Sequence, residues 1–257
     1  MVAGLLIAGE SHASTPLKMA KGSQAGMYMA YGELAASGNF LDNVCLTSDG
    51  NGGWTSEALL LWKNKKDWAD FYCYAPYDTN IKNARAMYFT VKTDQTTAEA
   101  QAASDFYYGR TNASPQNGFP SLSLQHLLSK IVVKIVAGSG FKENELDNSD
   151  LSVRIKNVYT QAKIDLNEGH LNAVGQSASI KAYAEDALTF SAIVVPQRVA
   201  NLSVVWKNTE YILSFDRDCS SNKVYTLTAT LKKTATGIDI SIGDWEDSGE
   251  DFGGTVN

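Results

Sequence analysis

Apolar and polar residues alternate with a period of two along much of this chain. In residues 224–231, Tyr225, Leu227, Ala229 and Leu231 are separated from one another by threonines. Because successive side chains of a strand point to opposite faces, this spacing predicts a strand with one buried face and one threonine-lined face.

The same alternation predicts further strands. Ile238, Ile240 and Ile242 are in phase within the next strand, and residues 232–237 supply the hairpin loop before it. Other strands are predicted at 26–31, 43–47, 58–62, 69–74, 87–92, 151–158, 162–166, 188–195, 202–206 and 211–215, the last two joined by a hairpin. Residues 96–104 are rich in helix formers and predict a turn or two of helix. We therefore predict an all-β protein.

A change of register near the middle of the chain indicates how it is divided. Leu122, Leu124 and Leu128 are apolar at even positions, whereas Ile131 and Val133 begin an odd series. Either a β-bulge lies near 128–130, or the chain passes from one hydrophobic core to another. We favour the second interpretation, which predicts an N-terminal domain over 1–120 and a C-terminal domain over 121–257.

Composition and charge exclude several classes of protein. The 257 residues are 44% hydrophobic and 19% charged, as in globular proteins, and the net charge of −6 argues against a nucleic-acid surface. No two of the three cysteines form a CxxC motif, so neither a zinc site nor thioredoxin chemistry is predicted. Cys73 is expected to pack as a small apolar residue, and the spacing leaves a Cys45–Cys73 disulfide open.

Motifs for catalysis are absent from the sequence. It contains no GxSxG, HExxH, P-loop or strand-to-helix GxGxxG motif, and we predict no enzyme, cofactor or metal. His126 is either half of a catalytic or metal-binding pair or a packed structural residue, and we favour the packed residue. The acidic residues around Trp245 are interpreted as a solvated segment rather than a calcium site. The tyrosines of the first half are interpreted as core residues, with stacking on sugars as the alternative.

The order of several segments is similar to that of a known family. Starting from a tryptophan-centred strand, the order is DFYCYAPY at 70–77, YFTVKTDQ at 88–95, SDFYYG at 104–109, LSLQHLLSKIVVKI at 122–135 and YTLTATL…GIDISIGDW at 225–245. This order resembles the fimbrillin family of Bacteroidetes, in particular the fimbrillin-A-like and Mfa-like surface proteins. The resemblance covers the chain from about Met19 to Trp245.

The resemblance implies two transthyretin-like, Greek-key β-sandwich domains in tandem. It also implies export as a lipoprotein and assembly into fimbriae with other subunits. In the family, a protease removes an N-terminal segment with the first strand, and a strand of the next subunit fills the groove. A groove of this kind has apolar pockets and unpaired backbone groups, and an incoming strand satisfies both.

The resemblance also assigns candidate residues in this chain. The displaced strand would lie within residues 2–8, with Leu5, Leu6 and Ile7 filling the groove. The export signal is expected to have been removed from the chain. No arginine precedes Arg85, so Lys18 and Lys21 are the candidate processing sites. An unprocessed subunit would suit a terminal or anchoring role. The donor strand is expected from the C-terminal region, with Ile238, Ile240, Ile242 and Trp245.

The leading hypothesis is therefore a non-enzymatic fimbrial subunit or adhesin of the outer-membrane surface. Its expected partners are other fimbrial subunits and a host or microbial surface ligand. Nucleic acid is not expected as a partner, and contact with the membrane is expected only through a lipid anchor. The alternative is a surface glycan-binding lipoprotein with the same two sandwiches. A third hypothesis, a β-sandwich hydrolase, would need paired carboxylates about 5–10 Å apart in a cleft, which no spacing predicts.

Overall fold

The computed structural model describes residues 5–6, 19–118, 120, 123–142, 145–147, 149–235, 237–242 and 246–251. Strands dominate this part of the chain, so the prediction of an all-β protein is confirmed. The strands are β1 Leu5–Leu6, β2 Gln24–Ala30, β3 Leu41–Ser48, β4 Gly53–Thr55, β5 Ala69–Ala75, β6 Met87–Thr90, β7 Tyr107–Ala113, β8 Gln125–His126, β9 Ser129–Ala137, β10 Leu151–Asp165, β11 His170–Lys181, β12 Tyr183–Ala184, β13 Thr189–Val194, β14 Arg198–Trp206, β15 Thr209–Asp218, β16 Lys223–Thr234, β17 Gly237–Ile242 and β18 Glu246–Asp251. The helix α1 spans Ala98–Ala102, and the Thr97 side chain accepts a hydrogen bond from the Ala100 N–H at its N-terminus.

The described strands form three sheets. The first has the order β1-β4-β3-β2-β5-β7-β8, and its paired strands are antiparallel. The second has the order β11-β10-β14-β15, and β6 from the first half of the chain also pairs with β10. The third has the order β12-β13-β9-β16-β17, with β18 also on β16. Within it, β9 and β16 are parallel although they are far apart in sequence.

Both predicted hairpins are confirmed. Lys207 and Asn208 have positive φ angles of 47° and 66° between β14 and β15, as a two-residue type I′ turn requires. The pairing of β16 with β17 is the second hairpin. The strand predicted at 58–62 is wrong, because these residues join no ladder, although Leu60 and Trp62 pack against the core.

The first sheet is buried on both faces. On one face, Tyr28, Tyr72 and Tyr74 belong to a large core that also contains the apolar residues of the second and third sheets. On the other face, Met27 and Phe71 belong to a small core of the first sheet alone. Each such buried side chain contributes about 1.5–3 kcal/mol of transfer free energy. The interpretation of these tyrosines as core residues is confirmed.

The register change near residue 128 coincides with a change of core. Leu124 lies in the small core, whereas Leu127, Leu128 and Ile131 lie in the large one. The strand also changes sheet here, because β8 pairs with β7 of the first sheet and β9 begins in the third. The division into domains at residue 120 stays a prediction.

The turn between β10 and β11 docks onto the first sheet through polar contacts. The buried Asn167 side chain accepts hydrogen bonds through Oδ1 from the Leu34 N–H at 3.0 Å and the Tyr72 hydroxyl at 3.3 Å. The Tyr108 hydroxyl donates to the Leu166 carbonyl oxygen at 2.7 Å. The second sheet is therefore held against the first by specific hydrogen bonds as well as by the large core.

The three cysteines are free thiols, which leaves the Cys45–Cys73 disulfide unformed. Burial raises the pKa of Cys73 and of Cys219 to about 12, so neither forms thiolate at neutral pH. We expect Ellman's reagent at about pH 8 to modify only the half-buried Cys45 in the folded protein, and slowly, because burial also raises its pKa. All three thiols should react after unfolding in urea, and three equally fast reactions in the folded state would contradict this assignment.

Candidate subunit-assembly site

The first strand lies at the edge of the first sheet. In β1, Leu5 pairs with Trp54 and Leu6 with Gly53, and β4 itself has only three residues. This ladder is far shorter than the one between β2 and β5, which has five residue pairs. The predicted displaced strand thus lies in an edge position with few backbone hydrogen bonds, while Ile7 lies outside the described residues.

The chain is attached to the first sheet on both sides of the candidate processing site Lys21. Met19 packs against the small core, and its carbonyl oxygen accepts a hydrogen bond from the Ser48 hydroxyl at 3.1 Å. The Gly22 N–H donates to the Ser48 carbonyl oxygen at 2.9 Å. Lys21 lies between these anchors in an exposed turn, and Lys18 lies outside the described residues.

The edge that β1 covers carries a buried tryptophan. Trp54 is 2% exposed and belongs, like Leu46, to the small core. Its indole N–H is buried and has no hydrogen-bond partner among the described residues. A buried donor without a partner costs free energy, so the Trp54 indole is an unsatisfied polar group at this edge.

The candidate donor residues lie in the third sheet. In β17, Ile238 pairs with Lys233, Ile240 with Leu231 and Ile242 with Ala229 of β16. Ile238 is buried, Ile240 is half-buried and Ile242 is 37% exposed, so burial declines along the strand. Trp245 lies outside the described residues. The structure thus does not bring the predicted displaced strand and the predicted donor strand together within one sheet.

Comparison with protein families assigns the chain to a family. A family model described as fimbrillin-like matches residues 12–245. The chain belongs to the fimbrillin-like family. The comparison with curated proteins finds no match.

Solved structures from Bacteroides share the fold of this fimbrillin-like chain. A protein proposed to act in cell adhesion, from Bacteroides uniformis, has a TM-score of 0.71 at 18% identity, over 90% of this chain and 93% of that one. Another proposed cell adhesion protein, from Bacteroides ovatus, has a TM-score of 0.68 at 16% identity, over 89% and 88%. A fimbrial protein from Bacteroides ovatus has a TM-score of 0.55 at 16% identity, over 88% of this chain and 49% of that one.

Family membership makes this a non-enzymatic protein of the cell surface with a role in fimbriae or adhesion. In the described part of the fimbrillin-like chain, no three His, Cys, Asp or Glu side chains are placed to hold a metal ion. Among the same residues, no helix is long and apolar enough to cross a membrane.

His126 of this fimbrillin-like protein is a packed residue, as predicted. Its Nδ1 atom lies 2.6 Å from Oδ2 of Asp105, and the two side chains are 5% and 4% exposed. The Tyr107 ring packs 4.6 Å from the imidazole, and burial, together with the charge of Asp105, raises the pKa of Tyr107 well above its ordinary value. The pair joins β8 to the segment before β7, where the chain turns from the first sheet towards the third.

Sequence reasoning missed a cleft between β2 and β3 of the fimbrillin-like chain. Its walls are formed by Lys63 and by residues of the segment 30–40, namely Ala30, Tyr31, Glu33, Ala35, Gly38, Asn39 and Phe40. The signal in the sequence was a glycine-containing loop bounded by two aromatic residues, Tyr31 and Phe40. Nothing local in the sequence indicated that Lys63 closes the cleft from another loop.

Proposed function

We propose that this fimbrillin-like protein is a fimbrial subunit or adhesin that joins other subunits by β-strand addition. In this proposal a lipid anchor holds the protein at the outer membrane. The observation that carries the proposal is the two-residue ladder by which β1 occupies the edge of the first sheet.

Displacement of β1 would uncover a surface suited to another strand. It would free the backbone of Gly53 and Trp54 on one side and expose the edge beside the buried Trp54 side chain. An incoming strand of similar apolar pattern would restore both the hydrogen bonds and the apolar contact. The net cost of exchanging one strand for another is small, because similar interactions form in both states.

Cleavage after Lys21 is the step that fits this geometry. It would release residues 1–21, and with them the contact of Met19 with the small core and its hydrogen bond from Ser48. Lys21 is exposed, so a protease reaches it without unfolding the sheet. The Gly22–Ser48 hydrogen bond lies on the retained side and would keep β2 and β3 in register.

The donor in this proposal is the C-terminal segment that contains β17. This strand lies at the edge of the third sheet and pairs there with β16. Its alternating Ile238, Ile240 and Ile242 match the pattern that a groove in a half-buried sheet requires. Because donor and acceptor lie on different surfaces, the contact is head-to-tail and leads to an open filament.

Limited proteolysis with a lysine-specific protease, followed by mass spectrometry and unboiled gel electrophoresis, tests the proposal. We expect cleavage confined to Lys18 and Lys21, followed by a ladder of denaturant-resistant oligomers. The matched control is Lys21→Gln combined with Lys18→Gln, which should remain uncleaved and monomeric.

Two outcomes would count against strand addition. Cleavage first at the exposed Lys63, Lys65 or Lys66 would show that the N-terminal segment is not the accessible site. A cleaved protein that has lost residues 1–21 and stays monomeric over several days would show that the freed edge accepts no strand from a second copy.

A further inference from the structure

A cleft of about 530 Å³ opens between the loop of residues 31–40 and Lys63, a volume within the range of small-ligand sites. It lies at the Ala30 end of β2. The β1–β4 edge lies near the other end, because Gln24 pairs with Thr47 and Thr47 with Thr55. At about 3.3 Å per residue, the length of β2 separates the two sites by roughly 20 Å.

Two aromatic rings form one wall of the cleft. Tyr31 and Phe40 pack edge to face, with ring centroids 5.3 Å apart and an interplanar angle of 88°. The Tyr31 hydroxyl accepts a hydrogen bond from the Lys63 N–H at 2.8 Å, which fixes the ring relative to the second loop. Phe40 remains 41% exposed. The wall therefore offers an apolar surface that is already held in place.

Two opposite charges stand beside these rings. The Lys63 ammonium lies 5.4 Å from the centre of the Tyr31 ring, and the Glu33 side chain is exposed at the cleft. Neither forms an ion pair with another residue in the ranges that the structure describes. The cleft therefore presents one cationic donor and one anionic acceptor, with no excess of either charge.

Hydrogen bonds tie the loop to itself and to neighbouring segments. The Asp42 carboxylate accepts hydrogen bonds from the Gly38 N–H at 2.6 Å and from the Asn39 side-chain amide at 2.7 Å. The buried Leu34 is held through its N–H by Asn167. The Ala36 carbonyl oxygen accepts a hydrogen bond from the Ala84 N–H at 2.8 Å. A site that is already ordered loses little conformational entropy on binding.

We propose that this cleft binds one neutral hexopyranose unit of a surface glycan. A pyranose ring has one apolar C–H face, which stacks on an aromatic ring, and hydroxyl groups around its rim. The Glu33 carboxylate accepts hydrogen bonds from such hydroxyls, and the Lys63 ammonium donates to others. A sugar acid is not favoured, because the Glu33 carboxylate offsets the attraction of the Lys63 ammonium for the acid's carboxylate. This inference goes beyond strand addition and does not depend on it.

Saturation-transfer NMR on the full chain tests the inference. The probes are the methyl glycosides of glucose, galactose and mannose, each at about 10 mM, a concentration suited to millimolar affinity. We expect transfer to the ring C–H protons of at least one probe, and less transfer to N-acetylneuraminic acid. Phe40→Ala, Lys63→Met and Glu33→Gln should each weaken binding by roughly tenfold, which corresponds to about 1.4 kcal/mol.

The matched control is Tyr88→Ala, which removes an aromatic side chain that is 61% exposed on β6, outside the cleft. Its binding should equal that of the unchanged protein. Lys63→Met and Glu33→Gln keep the aromatic wall, and an unchanged denaturation midpoint would show that they fold. Absence of transfer to all three neutral probes would overturn the proposal, as would stronger transfer to the acid or transfer that survives all three cleft substitutions.

Discussion

Replacing Asp105 by alanine is expected to lower the free energy of unfolding by about 1–3 kcal/mol, because it removes the buried carboxylate that contacts His126. Both side chains are almost fully buried, and the Asp105 carboxylate also accepts a hydrogen bond from the Phe106 N–H at 2.8 Å. Chemical denaturation followed by tryptophan fluorescence measures the change. Asp105→Asn should lose less, since an amide oxygen still accepts a hydrogen bond from the imidazole.

The control for this prediction is Asp94→Ala. Asp94 forms a comparable contact, with its Oδ2 atom 3.0 Å from Nζ of Lys181, but the two side chains are 55% and 52% exposed. Water and salt screen such a pair, so the denaturation midpoint should hardly move. Equal losses of stability in Asp105→Ala and Asp94→Ala would show that burial of the Asp105–His126 pair does not increase its contribution to stability.

Replacing Gly109 by alanine is expected to destabilise the protein by about 1–3 kcal/mol or more, because the new methyl group has no space. A Cβ atom at this position would lie 2.2 Å from the Ser123 carbonyl oxygen and 3.1 Å from a methyl group of Leu124. Ser123 belongs to the backbone just before β8, so relief requires movement of the segment that leads into the third sheet. The denaturation midpoint and the near-ultraviolet circular dichroism should both change.

Gly118→Ala is the matched control for Gly109→Ala. Gly118 has a φ of +75° and no atom within 4 Å of the new Cβ, so alanine there costs only backbone strain. That strain amounts to about 1–2 kcal/mol. A loss of stability in Gly109→Ala no greater than that in Gly118→Ala would contradict this prediction. That result would show that close packing between β7 and the segment before β8 is not the cause of the destabilisation.

The two proposed sites lie at opposite ends of the first sheet. Strand addition concerns the edge at β1 and β4, whereas the saccharide cleft lies at the other end of β2. A subunit built in this way can be part of a filament and still present its cleft to a glycan. The cleft substitutions should therefore leave oligomer formation unchanged, and substitution of Lys18 and Lys21 should leave saccharide binding unchanged.

Alternation along the chain was sufficient to predict the all-β fold, both hairpins and the change of core near residue 128. These features follow from local rules, because strand side chains alternate and short turns favour particular residues such as Asn208. The packed role of His126 was predicted as well, because it shares the phase of the apolar Leu124. Its partner Asp105 was not predicted, because this contact forms only when β7 and β8 pair.

Long-range pairing accounts for what alternation did not predict. The pairing of β6 with β10 and the parallel pairing of β9 with β16 join segments distant in sequence, and many partners satisfy the same local pattern. Residues 58–62 are apolar enough for a strand, yet Leu60 and Trp62 are partly buried against the small core without a ladder, since apolar burial needs no backbone pairing. The cleft likewise exists only because folding places Lys63 against Tyr31, a contact between two loops.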